Sequence, residues 1–429
     1  MTNLGEIRRV LRHRDFRMLW LAQSASVIGD NIVLVALALF IIERTDSATD
    51  LGLVLAAKAL PLVAFLLIGG VWADRLPRHR MMIATDLVRF ALHALLAILI
   101  FAGHVAIGQV VAIEILFGSA EAFFRPAANG LLPQTVPEAD IQPATAVTGI
   151  SNNVAEFAAP ALATALVLGA GAGWAFALDA ATFLISAGFL SRVRPRARGM
   201  DLAEEADAER VGTWRSIREG AREVRARTWV WATLASFCIG LFCGLASWFV
   251  LGPIVAREQY GHIAVYGIVE AAIGLGTIVG SIVAVSWRPR YPMRLGMLAT
   301  SLWPLAAILY AAGVTLALVI PASVLGGAGF ALFDVWWLTA LAERIPPHAL
   351  SRVTSYDWMV SLGLLPLGYA VMGPLAERLG ATNVLLGGAA LAAVAFTAGL
   401  LPRQTRMLER LPGSQPTTEV ESLRRGYRS

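Results

Sequence analysis

Residues 69–89 read GGVWADRLPRHRMMIATDLVR. An apolar run leads into this stretch and another follows it. Between them stand Asp74, Arg75, Arg78, His79 and Arg80, and Asp86 and Arg89 fall inside the next apolar run. A charge inside hydrocarbon costs about 2.5–3.5 kcal/mol on insertion scales, so a greasy chain keeps one only for a use. The fold turns on whether the flanking runs are membrane spans.

Composition says they are. Of 429 residues 57% are hydrophobic and 15% charged, and the mean hydropathy is +0.65. A soluble domain carries about 25% charged residues. Apolar stretches of ~20 residues, enough to cross a ~30 Å hydrocarbon core, recur along the whole chain. They predict twelve spans, at 16–42, 51–73, 81–103, 105–127, 143–168, 172–191, 229–255, 262–286, 293–312, 315–341, 353–376 and 381–401. The short alternating segments of a β-barrel do not occur. The predicted class is an all-α polytopic membrane protein.

Basic residues set the expected orientation. With both termini cytoplasmic, 30 of the 35 Lys and Arg fall on cytoplasmic segments or adjoining span ends. Arg44, Arg257 and Arg378 fall outside, and Lys58 and Arg89 within spans. That is the positive-inside bias, so the net charge of +5 reports topology and implies no nucleic-acid partner. The start, IRRVLRHRDFRMLW, reads as a retained signal anchor, because no small-residue cleavage site follows. Cys238 and Cys243, five apart in span seven, predict no disulfide and no metal site.

The polar segment 192–228 divides the chain into six-helix halves, 1–191 and 229–402, with a tail at 403–429. At its end Trp214, Ile217, Ala221 and Val224 share one helical face, and Arg215, Arg218, Arg222 and Arg225 another. This pattern predicts a helix lying on an anionic leaflet. The halves echo each other. Trp20 and Gly29 are nine apart, as are Trp231 and Gly240; Gly70, Arg78 and Arg80 recur as Gly280, Arg288 and Arg290. Asp74 becomes Ala284 in the second copy. Parallel six-helix repeats are a transporter architecture.

GGVWADRLPRHR resembles the loop motif between spans two and three of the major facilitator superfamily, Gly-x-x-x-Asp-Arg-x-Gly-Arg-(Arg/Lys). Gly70, Asp74, Arg75 and Arg78 match, Pro77 replaces the second glycine, and Arg80 follows His79. FRMLWLAQSASVIGDNIV, TDSATDLGLVLAAKALP, FFRPAANGLLPQTVPEADIQPATAV and ALDAATFLISA are similar to the drug:proton antiporter branch that holds macrolide-efflux proteins and the enterobactin exporter. The antiporter motif of span five is altered: AEFAAPALAT keeps Pro160 but has Ala155, Ala159, Ala163 and Thr164 where the glycines stand. The resemblance implies a conformational latch. Asp74 would meet the N-terminal dipole of span eleven, with Arg75, Arg78 and Arg80 anchoring the loop to lipid phosphates and carboxylates. Asp86 with Arg89, and Glu121 with Arg125, have the spacing of intrahelical pairs beside it.

Nine acids fall in the spans: Asp30, Asp86, Glu114, Glu121, Glu156, Asp179, Glu270, Asp334 and Asp357. The family places spans one, four, seven and ten around a central cavity, which makes Asp30, Glu114 and Asp334 expected cavity acids. Glu156, at mid-depth in span five beside Asn152 and Asn153, joins them as a proton-coupling candidate. Asp179 is expected to make a structural hydrogen bond, and Asp357 to help cap span eleven. Lys58, the one lysine in the chain, either neutralises Asp30 or Glu156 or touches substrate. Trp248, Trp336 and Trp337 offer flat surfaces to a bulky amphiphile or cation, or else pack between helices.

The function expected is secondary-active, proton-coupled export of amphiphilic small molecules by alternating access. The protein would be a monomer in the cytoplasmic (inner) membrane, without a cofactor. Sodium as coupling ion, import as direction and an anionic siderophore as cargo stay open. An ATP-driven pump is disfavoured because no Gly-x-x-x-x-Gly-Lys-(Ser/Thr) loop occurs. A membrane enzyme lacks its His-Glu-x-x-His or Gly-x-Ser-x-Gly motif, and the short tails disfavour a receptor.

Overall fold

The computed structural model describes residues 4–196, 213–346 and 363–410, together with 353–354, 356–357 and 359–360. Every regular element among them is a helix. Eleven helices are long and apolar enough to cross a bilayer. They correspond to spans one to ten and twelve; of span eleven, the helix Leu365–Leu379 is described. Spans one to six run Arg14–Thr45, Ala48–Arg75, Arg78–Phe101, Ile107–Leu131, Ile141–Ala170 and Ala172–Leu190. Span seven is Thr228–Gly240 and Ala246–Tyr260, joined by a π-helical turn at Leu241–Leu245. Spans eight, ten and twelve are Ala264–Ser286, Leu316–Arg344 and Ala381–Ala398, and span nine is Pro292–Thr300 plus Leu302–Ala311.

Local chemistry explains the tight reversals. Asp46, left-handed at φ 52°, returns its N–H to the Ile42 carbonyl and ends span one. Ser47 then caps span two by accepting the Asp50 N–H at 3.1 Å. Gly171 at φ 98° and Gly380 at φ 85° turn the chain where a side chain would strain the backbone. Leu60, Ile98 and Val394 are each about 60% exposed, an arrangement that lipid tolerates and water does not.

The helices pair alike in each half. Span one packs on six, two on four and three on six; seven packs on twelve, eight on ten and nine on twelve. A Cβ at Gly29 would collide with Asp179 and Thr182 of span six, and one at Gly240 with Phe396 of span twelve. The echoed glycines thus serve the same purpose, close approach of a half's first and last helices. The result is two pseudo-symmetric halves.

Spans two and eleven, five and eight, and one and seven join the halves. Their bonds gather at the end remote from the N-terminal helix Leu4–Arg12. There Arg257 pairs with Asp46 at 2.9 Å, and Thr49 donates to Glu377 at 2.5 Å. Gly373 lies against the backbone of Ala48 and Thr49.

At the opposite end Asp140 takes Arg9 and His13 at 2.8 and 2.9 Å. Glu409 accepts from Arg290 at 2.9 Å and from Tyr291 at 3.0 Å, strapping the start of the tail onto the second half. The connecting helix forms at Thr213–Ala226, with Val224 buried and Arg218, Arg222 and Arg225 exposed. The side chains of Trp214, Arg215 and Ile217 lie outside the described residues.

Candidate functional site

Charged side chains converge inside the first half. Span three presents Asp86, Arg89 and His93 on one face, the i, i+3, i+7 spacing of a helix stripe. Arg89 is 1% exposed and donates to Asp86, which also accepts from Ser186 of span six at 2.6 Å. The same guanidinium lies 3.6 Å from Asp30 of span one. Its flat face rests on Phe183 and Phe124, 4.3 and 4.1 Å from the ring centres. Asp30 keeps 28% of its side chain exposed, whereas Asp86, Glu114 and Asp179 are at 0% and Glu121 is at 9%.

His93 is the residue that motif reading missed. Its Nδ1–H donates to Asp179 of span six, and its Nε2 faces Glu114 of span four at 3.7 Å. The ring stacks on Phe117 with 4.1 Å between centres and 8° between planes. The missed signal is the spacing, since His93 continues the stripe of Asp86 and Arg89.

Toward the motif loop, Glu121 accepts two bonds from Arg125 at 2.9 and 2.6 Å. Lys58 lies 3.9 Å from Glu121 and 4.5 Å above the Phe117 ring. Lys58 thus has Glu121 as its nearest carboxylate, while its charge also reaches Asp30. The larger share of the neutralisation of Asp30 falls to Arg89, which projects from span three toward span one.

A cavity of about 260 Å³ is lined mainly by the second half. Spans seven to ten and twelve line it with Leu241, Leu245, Trp248, Phe249, Trp303, Phe330 and Phe396, and the acids Glu156 and Glu270 enter from spans five and eight. Trp248 donates to Glu270 at 2.7 Å and contacts the rings of Tyr266, Trp303 and Tyr310. The π-helical turn contributes Leu241 and Leu245 to this wall, and such turns recur at functional sites.

Several expected placements need correction. Glu114 does not face this cavity; it is fully buried against His93 because span four turns that face toward spans three and six. Trp336 and Trp337 are 3% exposed and pack within the second half. Trp336 donates to the Ala284 carbonyl at 3.3 Å and Trp337 to Asp357 at 3.0 Å, so neither offers a face to the cavity. Asp334 needs no such correction: it is exposed on span ten, near enough to the cavity acid Glu156 for the two to repel. Asp86 and Arg89 are interior residues, separate from the surface of the motif loop. In that loop Arg78 donates to the Gly130 carbonyl at 2.6 Å, a protein contact at the end of span four, while Arg75 and Arg80 are exposed. The surroundings of Gly70 and the side chain of Asp74 lie outside the described residues.

This architecture has known relatives. Residues 9–419 match the family described as transmembrane secretion effector. Macrolide efflux protein A of Streptococcus pyogenes is 23% identical over 400 residues, covering 90% of this chain and 95% of the relative. An uncharacterized MFS-type transporter of Bacillus subtilis, YvqJ, is 25% identical over 391 residues, covering 90% and 92%. Among solved structures, a mutant of the nucleoside transporter NupG superposes with a TM-score of 0.72 at 13% identity, over 90% of this chain and 98% of that one, a likeness of fold. With its paired six-helix halves and a family match spanning nearly its whole length, the chain belongs to the transmembrane secretion effector family of major facilitator transporters.

Proposed function

We propose that this transporter is a proton-coupled exporter of amphiphilic small molecules, and that Asp30 exchanges the coupling proton. The carrying observation is the charge balance of the first-half cluster. Asp30, Asp86, Glu114, Glu121 and Asp179 face Lys58, Arg89, Arg125 and His93. With the acids ionised the cluster holds one more negative than positive charge when His93 is doubly protonated, and two more when His93 is neutral. An unpaired charge in a low-dielectric interior is strongly disfavoured, and one proton removes it. Asp30 is the most open of the five acids, which favours it as the group that trades that proton.

Export as the direction draws support from the macrolide efflux relative. The basic loops favour cytoplasmic termini, and with that orientation the joined end of the bundle would face outward and the protein would be open inward. The halves 1–191 and 229–402 would then rock about the cavity through the connector 192–228, with 403–429 as tail and one chain as the working unit. Glu156 and Glu270 with an aromatic wall favour cationic amphiphiles over an anionic siderophore.

The test is flux of macrolides and fluorescent lipophilic cations in proteoliposomes under an imposed pH gradient. Loss of gradient-driven flux in Asp30→Asn, with downhill exchange retained, supports the assignment; full gradient-driven flux refutes it. Cysteine labelling at position 46 from outside, and at position 205 only after permeabilisation, checks the orientation.

A further inference from the structure

His93, Glu114 and Asp179 are entirely buried, and proton exchange at the open Asp30 does not require them. Their geometry is unsettled in a specific way. The Nδ1–H of His93 is engaged by Asp179. That leaves Nε2 facing Glu114 Oε1 at 3.7 Å, and neither Nε2 nor either oxygen of Glu114 has a hydrogen-bond partner.

A neutral imidazole whose Nδ1 carries the hydrogen presents a lone pair at Nε2, and a carboxylate presents only lone pairs. With His93 in that neutral state, two acceptors face each other in a site lined by Phe117, Phe176 and Phe183. A buried acceptor left unpaired costs about 1–3 kcal/mol, more when charged. One added proton, on Nε2 or on the glutamate, turns the opposed acceptors into donor and acceptor. A contraction from 3.7 Å to about 2.8 Å then makes a normal charge-assisted bond.

We propose that His93 and Glu114, with Asp179 orienting the imidazole, form a second proton-binding site deep in the first half. This rests on the reading of the protein as proton-coupled. The site lies close to Asp30, whose carboxylate is near enough to that of Asp179 for the two to repel. Asp179 carries its other oxygen against Gly29, where even a Cβ would not fit, and the next residue along span one is Asp30. The charges facing the site come from every neighbouring helix: Asp30 on span one, Lys58 on span two, Arg89 on its own span three, Glu121 on span four and Asp179 on span six. A proton leaving the Asp30 carboxyl for the His93–Glu114 pair leaves a carboxylate beside Arg89, so atoms and charge balance within the cluster. Two such sites would let the protein hold a proton away from the cavity while the halves rearrange.

The test is solid-state nitrogen NMR of the full chain in liposomes, with histidine labelled at both ring nitrogens. The His93 signals are assigned by their loss in His93→Gln. Glu114→Gln is the second variant, since it keeps the size of the side chain and offers Nε2 a neutral amide. The expected result is a His93 that passes from doubly to singly protonated between pH 5 and pH 9 in the wild type, and whose doubly protonated signal is lost in Glu114→Gln. A His93 with the same protonation and the same Nε2 shift at every pH, in wild type and in Glu114→Gln alike, would overturn the proposal and leave a packing histidine. The coupling reading fails separately, through unimpaired pH-driven flux of the lipophilic cation probe in Asp30→Asn, whatever the NMR result.

Discussion

Arg257 of span seven holds Asp46 at 2.9 Å and the Ile42 carbonyl at 3.1 Å with the same Nη2 atom. One guanidinium thereby joins the second half to the end of span one. Asp46 is largely exposed, so this pair is worth less than about 1 kcal/mol. Arg257→Ala should shift the population toward opening at this end by about fivefold at most, a modest bias. Spin-label distances between spans one and seven, measured in nanodiscs, check it; an unchanged distribution removes Arg257 from the gate.

Asp30→Asn should lower pH-driven flux by about tenfold or more while leaving the protein folded, because Arg89 keeps Asp86 as its buried partner. Since Lys58 pairs with Glu121, adding Lys58→Met should not restore transport. Rescue by that double variant would contradict the pairing described here.

Gly29→Ala should destabilise the first half by about 1–3 kcal/mol, the usual range for overpacking. Its Cβ would meet the Asp179 backbone at 3.2 Å as well as two side chains, whereas the nearest atoms to a Cβ at Gly240 belong to the ring of Phe396. Thermal unfolding in detergent should therefore rank Gly29→Ala below Gly240→Ala. The reverse order would show that the ring cannot yield.

Tyr291 and Arg290 hold the Glu409 carboxyl below the usual glutamate range. For a carboxyl lowered in the folded state, the strap's contribution is present above the ordinary value of about 4.3 and is lost as pH falls through the lower folded value. Protease nicking of the tail should thus rise only in that acid window. Glu409→Gln should show the same nicking at neutral pH. A tail equally protected in both proteins would mean the bonds to Arg290 and Tyr291 do not restrain it.

Trp248→Ala should weaken binding of lipophilic cations about tenfold, since the ring forms part of the cavity wall and orients Glu270. Glu270→Gln should weaken cations while sparing neutral macrolides. Fluorescence-polarisation titration of a dye cation distinguishes the two variants, and equal loss for charged and neutral ligands would remove charge from the recognition.

Sequence alone determined what depends on runs and on spacing along one helix. Continuous apolar stretches marked the spans, because hydrocarbon demands about twenty such residues in a row. Spacing of three and four placed Asp86 with Arg89 and Glu121 with Arg125, and both pairs form within a single helix. The nine-residue echo from Trp20 to Gly29 and from Trp231 to Gly240 marked the repeat. Tertiary structure alone decided which face of each helix meets which neighbour. It gave Asp30 to Arg89 and Lys58 to Glu121, turned Glu114 inward to His93, set Trp336 and Trp337 into the packing, and put Glu270 beside Trp248 in the cavity. Periodicity shows which residues share a face. The rotation of a helix about its axis is set by contacts such as Gly29 on Asp179 and Gly118 on the Lys58 backbone, between residues far apart in the chain.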